Sequence, residues 1–150
     1  MLAADLPSYN GCFGDKSKLD PILLLLGAAS GWGGNPLAAA MSENVYQEKN
    51  DGKTPYSVTV KDVPVDGFWS ITVYNEDGFM EQNEENAYSY NNVNAKRNDD
   101  GSITISFGLG PDAINNLPIT PGWNYLVRLY QPRKEIRNGT WKFPRAKPIK

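Results

Sequence analysis

At 150 residues, 40% hydrophobic and 21% charged with a net charge of −2, the chain fits one domain able to bury a core without staples. Histidine is absent and Cys12 is the single cysteine. Together these exclude Ser-His-Asp and Cys-His catalysis in their usual forms, His-ligated metal sites, an intrachain disulfide and a dithiol redox pair. Cys12, beside Gly11 and Gly14, reads as a bystander rather than a nucleophile.

The charge is unevenly spread. Residues 128–150 hold eight Lys/Arg against Glu135 alone, a net of +7, while the other 127 residues carry seven Lys/Arg and sixteen acids, a net of −9. A basic tail can be a nucleic-acid or anionic-membrane footprint, but here it balances an acidic body. Its aromatics sit between prolines rather than on a spaced stacking platform, so nucleic acid is not an expected partner.

In chain order, residues 1–18 carry turn residues without a period and read as a loose arm. Asp20 is a good N-cap and Pro21 suits the first helical position, which predicts a short helix whose buried stripe is Leu23, Leu24 and Leu26. The run 22–26 is too short to cross a bilayer and lacks the basic flank of a secretory signal, so no membrane is expected. The chain as it stands reads as cytoplasmic, or as periplasmic or secreted if an export signal was removed. Trp32, among glycines, is either a plug in the core or a stacking platform.

After Pro36 the pattern has period two. Tyr56, Val58 and Val60 alternate with polar residues, as do Trp69, Ile71 and Val73, then Ile103, Ile105 and Phe107, then Trp123, Tyr125, Val127 and Leu129. The last of these also carries Leu126 on its other face, which argues for a central, covered strand. Asn98-Asp-Asp-Gly101 predicts a hairpin from a strand near Val93 to one starting at Ser102, and Glu76-Asp77-Gly78 a similar turn. A loop over 108–121 and a helical turn over 132–139, stopped by Gly139, complete the chain. Fourteen glycines and eleven prolines suit such short strands and tight turns. The expected fold is all-β: a jelly-roll-like antiparallel β-sandwich over 19–150 with a short N-terminal helix.

Arg128 is the most pointed polar residue, set mid-strand between Val127 and Leu129 beside Tyr130 and near Tyr125. A guanidinium there needs a carboxylate or carbonyl partners, since an unpaired buried charge is costly. It reads either as an ion pair with Asp62 or Asp66 that pins a loop, or as a clamp for a ligand carboxylate or phosphate. Asp66, before Gly67, is a turn residue before it is a catalyst. Glu76, Asp77, Glu81, Glu84 and Glu85 crowd one region, but nothing in their spacing sets a glycosidase separation, and neither they nor Asn98-Asp99-Asp100 form an EF-hand loop. No metal and no cofactor is implied. The aromatics, interleaved with Asn and Gln, are of the kind that stack sugar rings, although Trp69 and Trp123, opening their strands, read as core.

The run Asp20-Pro-Ile-Leu-Leu-Leu-Leu-Gly-Ala-Ala-Ser-Gly-Trp-Gly-Gly34 resembles the start of domain-of-unknown-function family 1214, a mostly bacterial group. Asn50-Asp-Gly-Lys53, Lys61-Asp-Val-Pro-Val-Asp-Gly-Phe-Trp-Ser70, Asn98-Asp-Asp-Gly-Ser102, Leu117-Pro118, Gly122-Trp-Asn-Tyr125, Arg128-Leu-Tyr130 and Asn138-Gly-Thr-Trp-Lys-Phe-Pro144 extend the resemblance to the C-terminus. It implies a jelly-roll domain, often placed after a second β-domain of family 1254, and no activity that maps onto residues. Residues 108–117 depart from a loop that carries cysteines in many relatives.

These observations predict a β-sandwich binding or assembly module for a carbohydrate or small anionic ligand, with Arg128, Tyr125, Tyr130, Trp32 and Asp66 as candidate binding residues. A second copy of the chain or a companion β-domain are its other expected partners. The alternative is a histidine-free hydrolase acting on carbohydrate or ester substrates through carboxylates and tyrosines near Arg128.

Overall fold

The computed structural model of the chain describes residues 12–30 and 34–149. Trp32 and residues 1–11 of the expected arm lie outside the described residues. The chain enters through a single 3₁₀ turn, Lys16–Lys18, and helix α1, Pro21–Ser30. Asp20 caps that helix, its carboxylate accepting from the backbone N–H of Ile22 at 2.7 Å and Leu23 at 3.3 Å. The cap is as expected but the packing is not: Leu23, Leu24 and Leu26 are exposed. The helix is apolar on all sides, so its sequence selects no inward face.

Eight strands follow: β1 Ala40–Tyr46, β2 Tyr56–Val60, β3 Trp69–Tyr74, β4 Ser89–Asn91, β5 Ile103–Phe107, β6 Asn116–Leu117, β7 Asn124–Tyr130 and β8 Lys147–Pro148, with helix α2, Lys134–Arg137, before the last. They form two four-stranded sheets, in the orders β1-β7-β3-β4 and β6-β5-β2-β8. All pairings are antiparallel except β5 with β6. The pairs β1·β7, β2·β5 and β3·β4 nest inside one another along the chain, as in a long hairpin rolled on itself. The architecture is an all-β, jelly-roll-like sandwich.

The alternation seen in the sequence sets the core. Tyr56, Val58 and Val60 from one sheet meet Trp69, Ile71, Tyr125, Val127 and Leu129 from the other, with Ile103, Ile105 and Phe107 beside them. Trp69 and Trp123 are core, as their strand-opening positions predict. Phe107 stacks on Tyr125 with centroids 5.0 Å apart and lies 5.1 Å from Trp123, which meets Tyr56 edge-on at 5.7 Å. Such pairs contribute about 0.5–1.5 kcal/mol each beyond the area they bury. Central β7 is flanked by β1 and β3, as its two-sided apolar pattern requires.

Two local signals resolve differently. The 98–101 turn forms, with Gly101 at φ 82° donating its N–H to the Asn98 carbonyl at 2.9 Å, but it joins no hairpin. Val93 lies exposed in a turn, and the preceding strand, β4, pairs with β3 in the opposite sheet from β5. The 108–121 loop contains β6, whose Leu117 is fully buried.

Candidate functional site

The outer face of the first sheet is built by register. Cross-strand partners point to the same side, so one row runs Tyr46, Asn124, Tyr74 and the next Asn44, Leu126, Thr72, Ser89. The third row is Ser42, Arg128, Ser70, Asn91, and Tyr130 lies beyond it. These rows set one arginine among mostly polar side chains, with Leu126 the apolar exception, Ser70, Thr72 and Asn124 buried, and tyrosines at both ends.

Arg128 leans along the strands rather than straight across. Its Nη1 donates to Thr72 Oγ1 at 3.2 Å and its Nη2 to the Tyr74 hydroxyl at 2.9 Å. Thr72 in turn donates to Ser89 Oγ at 3.1 Å, so the hydroxyls form an oriented chain. Among the described residues no carboxylate lies within salt-bridge range of Arg128. Of its five N–H groups, two are used here and three remain. The Tyr74 hydroxyl accepts from Arg128 and so keeps its own proton to donate.

Asp66, expected as the partner that pins a loop to Arg128, is bound elsewhere. Arg133 Nε donates to its Oδ1 at 2.7 Å, and that pairing holds the Arg133 guanidinium more firmly protonated than usual. Asp62 forms no ion pair among the described residues. Tyr125 faces the core, on the opposite side of β7 from Arg128, with its hydroxyl accepting from Ala146 N–H at 3.0 Å. Burial pushes its phenol up from the ordinary value. Tyr130 shares the outer face with Arg128 but stacks on Phe68, centroids 4.2 Å apart, at the end away from the guanidinium. The structure therefore brings Arg128 together with Thr72, Tyr74 and Ser89, and not with Tyr125 or Asp66. Parity in the sequence placed Thr72 and Tyr74 on one face; only the register of β3 against β7 puts that face beside Arg128.

Two acids of the 76–85 region bond into loop segments. Glu81 accepts from Asn75 Nδ2 at 2.7 Å, and Glu85 from Asn116 Nδ2 at 3.1 Å. A recess of about 60 Å³ lies there, lined by Val73, Asn75, Glu81, Asn83, Tyr88 and Thr120. It has room for about two waters and not for a sugar ring. No three Asp, Glu or Cys side chains among the described residues converge as a metal site would need. No helix among them is long and apolar enough to cross a membrane.

Residues 38–134 match the family described as "Protein of unknown function (DUF1214)". The chain belongs to this family. That match spans β1 to β7 and the start of α2, so the Arg128 face of this DUF1214 sandwich lies wholly inside it. The fold is similar to the crystal structure of the VPA0106 protein from Vibrio parahaemolyticus, at a TM-score of 0.79 and 25% identity over 97% of this chain. This chain spans 40% of the length of that Vibrio chain. A putative uncharacterized protein from Burkholderia cenocepacia gives a weaker match, at a TM-score of 0.46 and 22% identity, covering 77% of this chain and 29% of that one. No curated protein matches.

Proposed function

We propose that this DUF1214 domain is a non-catalytic binding module whose outer sheet face takes an acidic sugar, or a small carboxylate of similar size. The observation that carries this is the Arg128 guanidinium, held on the outer face by two hydroxyls with no carboxylate among the described residues in salt-bridge range of it. Three N–H donors and the Tyr74 proton suit a carboxylate, which takes charge-assisted bonds about twice as strong as neutral ones. Tyr46 and Tyr74 share one row and offer ring faces to the body of a sugar, while Asn124 between them is buried and donates to the Asn75 carbonyl at 3.2 Å.

Binding is favoured over hydrolysis by where the acids lie. The tyrosine expected beside Arg128 faces the core, Asp66 pairs with Arg133, and Glu81 and Glu85 tie loops together. A glycosidase needs two carboxyl groups flanking one bond, and among the described residues the strand rows of the Arg128 face hold none. A glycan array separates the readings: binding to uronate-containing glycans that weakens with added salt supports the proposal. Equal binding to neutral and acidic glycans, or hydrolysis of any of them, contradicts it.

A further inference from the structure

We infer that α1 docks into an apolar groove on a second folded domain, equivalent to the part of the longer Vibrio chain that this chain does not match. Ile22, Leu23, Leu24, Leu25 and Leu26 are all exposed, by 37 to 69%. Five successive residues point in every direction around a helix, so no single rotation could hide them. Scattered apolar residues are normal on a surface; an unbroken exposed run marks an interaction site. None of the five belongs to the sandwich core. Cys12 and the Phe13 ring lie against Gly27, on the helix turn after the leucine run. A helix of ten residues is marginal by itself in water and needs tertiary burial to persist.

The longer relative indicates what covers it. The Vibrio match reaches 97% of this chain, and the remaining 3% of 150 residues is about five, half the length of α1. The helix therefore has a counterpart, at least in part, in a chain where 60% of the residues lie outside the match. A second copy of this chain is a poor occupant. Two helices of ten residues, each about 15 Å long, bury far less than the roughly 1,200 Å² of a stable dimer. A domain tethered in the same polypeptide needs less, because the tether supplies effective concentration. With no charged residue in α1, recognition is of the helix-in-groove kind, through leucine anchors.

The direct test replaces the matched part of the Vibrio protein with this whole chain and follows unfolding by calorimetry. One cooperative transition that splits in two in the Ile22→Glu/Leu25→Glu variant is expected. In the chain by itself the same pair should move the melting temperature by less than about 2 °C, since surface changes of this kind cost little. A transition that the pair leaves unchanged overturns the inference, as does self-association of the chain by itself, in light scattering, that the pair abolishes. Should the chimera not fold, the Vibrio crystal structure decides. Its α1 counterpart must be at least half covered by residues outside the match, and a helix as exposed there as here overturns the inference.

Discussion

Tyr125 and Arg128 lie on one strand, β7, and serve opposite faces of it: the Tyr125 hydroxyl closes the core against Ala146 N–H, and the Arg128 guanidinium reaches Tyr74 on the outer face. One side chain closes the core and the other is the group that the proposed function assigns to a ligand. The two roles are separable by substitution.

Tyr125→Phe leaves the buried Ala146 N–H without its acceptor. The cost should be about 1–3 kcal/mol, read as a lower denaturant midpoint with an unchanged slope. Because burial raises the phenol above its ordinary value, the folded state favours the neutral form. Its contribution is intact below about pH 10 and is lost as the pH rises past that point. Stability measured between pH 9 and 11 should fall less steeply in Tyr125→Phe than in the parent. An equal slope would remove Tyr125 from this account.

At the acid end the sign reverses. Asp51 accepts from the N–H of Thr54 at 2.7 Å and of Lys53 at 2.9 Å, and those bonds hold its carboxyl well below the usual carboxylate range. Ser102 lowers Asp100 in the same way, through its hydroxyl and its N–H. Stability from both is complete above about pH 4 and is lost as the pH falls below it. Asp51→Ala should therefore flatten the acid limb of a stability–pH curve while lowering the neutral plateau. A variant whose acid limb matches the parent would show that this turn does not contribute to acid unfolding.

Asp66→Asn removes the surface pair with Arg133, whose side chains are 62% and 55% exposed. The loss should be under about 1 kcal/mol and smaller still in high salt. Ligand binding should be unaffected. A ligand defect in this variant would return Asp66 to the site.

Trp123→Ala empties the centre of the aromatic cluster, where Trp123 is fully buried beside Tyr56, Phe107 and Tyr125. It should cost about 3–5 kcal/mol. Trp123→Phe should cost much less, since the indole N–H has no hydrogen-bond partner to lose. Similar losses for the two would mean that the ring's edge, rather than its volume, holds the cluster.

What the sequence made legible follows from burial. β2 and β7 bury one face most cleanly, so alternation at Tyr56–Val60 or Trp123–Leu129 announces them. In β3 and β5 the apolar residues still alternate, although Ser70, Thr72 and Ser106 are buried as well. Leu126 on the second face of β7 marks the central strand. β4 is three half-buried residues, too short to show a period. β1 was hidden for another reason. It is an edge strand whose Glu43 pairs across from inward-facing Val127, which breaks the apolar pattern, and Arg145 reaches that carboxylate at 3.5 Å. For Arg128, parity gave the face, but its neighbours depend on which strand pairs beside it and which way the side chain leans. Asp66 lies close in the β3 lead-in yet is claimed by Arg133, a residue of the next loop. The α1 leucines carry a clear helix signal from Asp20 and Pro21, while their exposure is a tertiary fact that no local pattern encodes.

The most direct measurement is calorimetric titration of the protein with galacturonate and with galactose, in parallel with Arg128→Met. This variant keeps an unbranched side chain and removes the guanidinium. The account predicts binding of galacturonate but not galactose, at least tenfold weaker in Arg128→Met, whose melting temperature stays within about 3 °C of the parent, the shift that about 1 kcal/mol gives at this size. Equal affinity of the parent and a folded Arg128→Met for galacturonate would contradict the account.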